Sequence, residues 1–288
     1  MVAVASTPSR RQRDDWLLVL QSAGIGASAV RSGREWTIIV ADSLELAARA
    51  NLAEFERENA RLAEGDAAPL DLGPSVLGSV VGVCLVALHA LSFLAPGREW
   101  WLRAGRASSW RILDGELWRA VTALTLHADA VHVAGNALAS AVFVSAVGRI
   151  YGAGVGLLAV VAGGVLGNLM NALYRGGVHL SIGASTSVFA AVGILAGAQM
   201  LRRRRMAQDW RRSWLPLGAA VAILAMLGVG VESDVAAHVF GIVAGVGVGL
   251  GVSASSTGAT SPRLQVLAGA AALAIVVGAW AIAIAGAA

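Results

Sequence analysis

The sequence predicts an all-α, polytopic membrane protein with a small α+β domain at its N-terminus, and three features carry that prediction. Of the 288 residues, 57% are hydrophobic and 14% charged, whereas soluble domains carry about 25% charged residues. From about residue 75 onward the apolar residues gather into runs near the ~20 residues needed to cross hydrocarbon. Glycine is abundant, with 35 residues, and much of it lies inside those runs, where small residues let helices pack closely in lipid.

Residues 1–66 differ from the rest. The segment around Asp14–Ile25 is a short amphipathic helix candidate. Residues 26–30 and 35–41 read as two short strands around an Arg31–Arg34 turn. Residues 42–65 are rich in helix formers, with Asp42 or Ser43 as N-cap and Gly65 as terminator. The order helix, strand, strand, helix makes a cytosolic αββα domain with no catalytic constellation, suited to an adaptor or regulatory role. The first residues hold no apolar core long enough for a cleaved signal peptide, so the first span is expected to act as its own insertion signal. Residues 67–74, rich in glycine and proline, form the linker to a membrane domain over 75–288.

Seven candidate spans follow, at about 75–95, 130–149, 152–173, 184–201, 214–231, 235–252 and 264–285. All positive charge is arginine, since the chain has no lysine. The four-arginine run Arg202–Arg205, continued by Arg211 and Arg212, marks the connection after the fourth span as cytoplasmic. Arg149 and Arg263 agree. Alternation then places the N-terminal domain inside and the C-terminus outside. The connection between spans one and two opposes this with five arginines. Its Trp100, Trp101, Trp110 and Trp118 suit the membrane interface. Charge distributed in this way points to membrane topology and not to nucleic acid.

With that topology, polar groups converge at one depth. His132 and Asn136, four residues apart, share a face near the outer start of the second span. Ser185 opens the fourth span, and His238 lies near the outer start of the sixth. After His238 come Gly241, Gly245 and Gly249 on one face, and Gly193 and Gly197 stand four apart on the fourth span. A close crossing of those two spans brings the Ser185 hydroxyl within reach of the His238 imidazole, the arrangement of an activated nucleophile. A helix starting at Ser185 presents unpaired backbone N–H groups to an oxyanion, with His132 and Asn136 as side-chain donors.

These residues resemble the rhomboid family of bacterial intramembrane serine proteases. The resemblance rests on His132 with Asn136, on Gly183-Ala184-Ser185-Thr186 in place of the family's Gly-x-Ser-Gly, and on His238 with Gly241 and Gly245. Trp118-Arg119 matches the family's tryptophan–arginine pair, and His127 matches an upstream histidine. It covers about residues 75–285 and implies a bundle of six core helices plus a seventh. It also implies cleavage of transmembrane protein substrates in or near their spans, with Ser185 as nucleophile and His238 as base. His132, Asn136 and the Ser185 N–H would hold the oxyanion. No cofactor or metal is implied; the partners are substrates and the lipid bilayer, with no nucleic acid. The location implied is the inner membrane, with the site open to the outer face. The family glycine is replaced by Thr186, whose β-branch is expected to add bulk near the oxyanion and narrow substrate access. A catalytically silent rhomboid-like protein that binds transmembrane clients is the alternative.

The remaining polar residues read as structural. Ser187 lies on the opposite helix face, Ser181 in a loop or cap, and His127 orients a loop. His179 is expected to be solvated, and Asn168 and Asn171 to bond between helices. Asp234 reads as a helix N-cap, or as a third member behind His238. Zinc is disfavoured because no His-Glu-x-x-His or cysteine pair is present; the single cysteine, Cys84, lies in an apolar run.

Overall fold

The first sixty-odd residues bury one small apolar core. In the computed structural model, the described residues are 1–33, 35–65, 73–94, 97–205, 218–220, 222–223, 234–255 and 261–286. They fall into two compact units, Met1–Ala67 and Ala68–Ala288. The first contains β1 (Val2–Thr7), α1 (Arg10–Ser22), β2 (Ala27–Ser32), β3 (Glu35–Val40) and α2 (Glu45–Gly65). The antiparallel sheet has the order β1-β3-β2, with Val2 and Ala27 both opposite Val40. Trp16 and Leu20 of α1 and Leu52 of α2 close on Val4, Ile38 and Val40. The expected order of helix, strand, strand, helix is therefore corrected by a leading strand. A bulge between Ala3 and Ala5 breaks its alternation, so that Val4 and Thr7 are the buried positions. No two-residue period marks it as a strand.

In the second unit, α3 (Leu77–Leu91) is followed by the short helices α4 (Arg98–Gly105), α5 (Ser109–Leu113) and α6 (Arg119–Thr122). Then come α7 (Ala130–Tyr151), α8 (Ala153–Arg175), α9 (Ser185–Arg205), α10 (Val235–Ser255) and α11 (Pro262–Ala285). The helices α7, α8, α10 and α11, of 22, 23, 21 and 24 residues, are long and apolar enough to cross a membrane. Two expectations shift. The first segment is a helix of only 15 residues. Helix α9 continues through the first arginines of the basic run, since arginine is a good helix former. The expected span 214–231 lies largely outside the described residues. Large apolar side chains such as Leu138, Val142, Val266 and Leu273 stay exposed while Asn136, Ser140, Asn168 and Asn171 are buried. That inversion suits a lipid surround, where polar groups must find partners inside the protein.

Glycines set the helix spacing. On α10, a Cβ added at Gly241 would lie 2.5 Å from the Thr186 carbonyl oxygen. Added at Gly245 or Gly249, it would strike the carbonyls of Ala190 and Ile194. From α9, Gly193 faces the Ile242 carbonyl and Gly197 that of Val246. Helix α8 joins through Gly163, against the Ala190 methyl, and Gly167, against the Thr186 methyl and Gly241. Helix α3 lies on α7 by the same device, with Gly78 and Gly82 against the carbonyls of Ser140 and Ala137. At the far end of the bundle, the Gln265 side chain of α11 accepts from the Gly154 and Val155 N–H groups at 2.8 and 3.1 Å. It donates to the Tyr151 carbonyl at 2.7 Å.

Replacing Gly245 by alanine is expected to destabilise the protein by about 1–3 kcal/mol through overpacking. Gly247→Ala, where an added Cβ meets nothing within 4 Å among the described residues, should be neutral or stabilising by up to about 1 kcal/mol. Thermal unfolding in detergent micelles compares the two.

Candidate active site

Ser185 is the first residue of α9, and the turn before it is pinned from three sides. Leu180 and Ser181 pair with Ser108 and Ala107 in a two-residue antiparallel ladder. The Gly183 N–H donates to the Ala123 carbonyl at 2.9 Å, and the Ala184 N–H donates to His127 Nε2 at 3.3 Å. Gly183 has φ 134°, a conformation open to glycine and strained for other residues. An added Cβ there would also sit 2.9 Å from His132 Nε2 and 3.5 Å from Ser185 Oγ. The position therefore requires glycine twice over, for its backbone and for the imidazole laid against it.

His238 comes in from the first turn of α10, its Nε2 2.9 Å from Ser185 Oγ. Phe189, one turn beyond Ser185, lies against the His238 ring with centroids 4.5 Å apart and planes 32° apart. Across the site, Asp129 caps α7 by accepting the His132 N–H at 2.8 Å. His132 Nδ1 accepts the Ala128 N–H at 3.4 Å. In the neutral ring this leaves the proton on Nε2, the nitrogen turned towards Gly183 and Ser185. Asn136 donates to the His132 carbonyl at 3.2 Å and is buried. Ser185, His238, His132, Asn136 and Gly183 line one cavity of about 850 Å³.

Residues 114–255 match the family model of the Rhomboid domain. This chain is a member of the rhomboid family. It is 25% identical over 134 residues to the YdcA rhomboid of Bacillus subtilis (strain 168), a match covering 46% of this chain and 66% of that protein. It is 29% identical over 156 residues to the rhomboid protease GluP of the same organism, covering 53% of this chain and 29% of GluP. This rhomboid is accordingly a multi-pass membrane protein, and it spans less than two thirds of the length of either relative.

The other residues singled out in the sequence fall as follows. The Arg119 side chain is buried in the connection before α7, where it pairs with Glu116 at 2.5 Å and donates to the carbonyls of Arg103 and Arg106. Trp118 stands at the start of α6. The Thr186 methyl is lodged between Gly167 and Gly241, and only 4% of the residue is exposed. Its bulk is thus accommodated chiefly within the helix seam, although the residue also lines the cavity. Ser187 faces Gly164 of α8. Asn168 of α8 donates to the Ala120 carbonyl of α6 at 2.9 Å, the expected bond between helices. Asp234 accepts the Ala237 N–H at 3.3 Å as a helix cap. One expectation is corrected: His179 is not simply solvated, because its Nε2 meets Asp234 Oδ2 at 2.6 Å.

Sequence reasoning missed two contacts. Phe189 carries a spacing signal, since i and i+4 share a helix face. The bond from Ala184 to His127 has none, because its partners are 57 positions apart in irregular segments.

His127 gives the site an acid-sensitive support. Burial, then the neighbouring His132 and His89, push its pKa down to about 3. The unfolded chain binds a proton near pH 6.5 that the folded chain refuses, so the support is complete above pH 6.5 and is lost as pH falls towards about 3. The expected slope is about 1.4 kcal/mol per pH unit below 6.5. His127→Gln, which keeps an acceptor for Ala184, should flatten that slope in thermal unfolding series between pH 7.5 and 5. A second expectation concerns the seam. Gly167→Ala, whose added Cβ would lie 2.8 Å from the Thr186 methyl, should destabilise by about 1–3 kcal/mol. Thr186→Gly in the same chain should restore only part of that loss, because the added Cβ would still lie 3.0 Å from the Gly241 backbone.

Proposed function

We propose that this rhomboid is an intramembrane serine endopeptidase that cleaves transmembrane protein substrates in or near their spans. The observation that carries the reading is the 2.9 Å approach of Ser185 Oγ to His238 Nε2 at the starts of two helices. His132 and Asn136 share its cavity. The family match and the relatives of the same family support protease chemistry in general; the assignment of roles to residues is ours.

In this mechanism Ser185 Oγ attacks the scissile carbonyl carbon while its proton passes to His238 Nε2. The resulting oxyanion is held by the Ser185 backbone N–H, the His132 Nε2–H and the Asn136 amide. The C–N bond breaks as His238 returns the proton to the leaving amine. Water then attacks the acyl ester with His238 taking its proton, which releases the acid and restores Ser185. Gly183 gives the turn its shape, His127 holds the Ala184 N–H, and Gly241 and Gly245 let the two helices meet. Trp118 and Arg119 brace the preceding loop.

The reading extends to architecture and place. Residues 75–288 form six core helices plus a seventh, joined by the linker 67–74 to a cytoplasmic domain of residues 1–66. The protein sits in the inner membrane with its site open to the outer face, an orientation argued from the arginine run after Leu201.

The test is cleavage of a reporter transmembrane substrate in proteoliposomes, together with covalent labelling by a fluorophosphonate. Ser185→Ala should abolish both. His238→Ala should abolish turnover, and His132→Ala and Asn136→Ala should each lower kcat by about 10²-fold. Undiminished cleavage by Ser185→Ala would refute the assignment. A wild-type chain that neither labels nor cleaves, yet retains transmembrane segments, would identify a silent client-binding rhomboid instead.

A further inference from the structure

The rim of the cavity holds a second polar cluster, centred on Asp234. Its Oδ2 accepts from Asn171 Nδ2 at 2.7 Å and meets His179 Nε2 at 2.6 Å. Its Oδ1 accepts from Arg175 at 3.3 Å and from the Ala237 N–H at 3.3 Å. The Asp234 backbone carbonyl accepts the His238 N–H at 3.1 Å. One carboxylate therefore joins the end of α8, the loop that leads to Ser185 and the first turn of α10. Burial works to raise the Asp234 pKa, but the hydrogen bonds from His179, Ala237 and Asn171 outweigh it and hold the carboxyl below the ordinary range. The group is ionised and anchored throughout the neutral range.

The loop side of this link is also tied down. The His179 carbonyl accepts the Ser109 N–H at 3.0 Å. The next two residues pair with Ser108 and Ala107, and five residues separate His179 from Ser185. Ser185 and His238 stand at helix starts, where the first turn lacks intrahelical partners and frays most readily. The glycine seam fixes the helix axes below them, and a constraint at the rim is needed to fix the turns themselves.

We propose that Asp234 and His179 form a positioning clasp that holds the Ser185 loop in register with the His238 turn. The proposal rests on the reading of Ser185 and His238 as the reacting pair. Neither clasp residue touches the reacting atoms in this role. Their effect is on the geometry of the pair, where a misplacement of 1 Å costs about 10²-fold in rate.

The experiment measures fluorophosphonate labelling of Ser185, and kcat and KM for the reporter substrate, in the full-length protein in proteoliposomes. Asp234→Ala and His179→Ala should each lower the labelling rate and kcat about tenfold, with KM within about twofold. The double variant should be no slower than the slower single, because both remove one link. His179→Gln, which keeps an N–H donor at similar reach, should recover activity to within about threefold. If Asp234→Ala does not fold, the contrast between His179→Ala and His179→Gln carries the test alone. Wild-type rates in His179→Ala, independent multiplying losses, or a loss confined to KM would overturn the clasp. An unlabelled wild-type chain would overturn the reading of the reacting pair and the clasp with it, whereas a labelled wild type with unaffected variants overturns the clasp alone.

Discussion

Helices normally pack with axes 8–10 Å apart because side chains fill the space between them. Between α9 and α10 that space is largely removed, and carbonyls of one helix lie against the α-carbons of the other. Thr186 meets Gly241, Ala190 meets Gly245 and Ile194 meets Gly249, one contact per turn. The 2.9 Å separation of Ser185 and His238 follows from this seam, because Ser185 directly precedes Thr186 and His238 lies three residues before Gly241, the first pair in contact. The approach of the two polar atoms is thus a property of the backbones, and any methyl added along the seam is felt at its mouth.

Much of this arrangement is legible in the sequence. The spacing of Gly241, Gly245 and Gly249 after His238, and of Gly193 and Gly197 after Ser185, marks the two faces that meet. Composition and run length locate the helices, because a membrane span must be apolar over a set length. Other parts leave no such trace. Glycine is so common here that nothing local distinguishes Gly163 and Gly167, which face the seam, from Gly247, where an added Cβ meets none of the described residues within 4 Å. The strand Val2–Thr7 is concealed by its bulge. The link of His179 to Asp234 joins a loop to a helix start 55 positions away, and neither helical nor strand periodicity encodes such a pair.

The connection between α3 and α7 explains why its arginines sit awkwardly with a simple charge rule. Arg119 is 4% exposed and spends its donors on Glu116 and on two backbone carbonyls. Arg98 bonds to the carbonyls of His127 and Ala128. Thr122 donates to the Gly105 carbonyl at 2.6 Å, and Trp280 of α11 donates to Thr125 at 3.0 Å. In a low-dielectric setting such groups are costly unless satisfied, so these arginines serve as internal braces. By bonding to the His127 carbonyl, Arg98 also steadies the residue whose ring receives the Ala184 N–H.

The amide of Gln265 has a consequence for how the chain is assembled. It satisfies the leading N–H groups of α8 and the last carbonyl of α7, yet it stands on α11, 110 or more positions further along the chain than any of them. Until that helix arrives, the junction of two much earlier ones has only interfacial water to serve its polar groups. A chain whose synthesis has reached α10 but not yet α11 therefore carries an α7–α8 hairpin that is not locked at its turn.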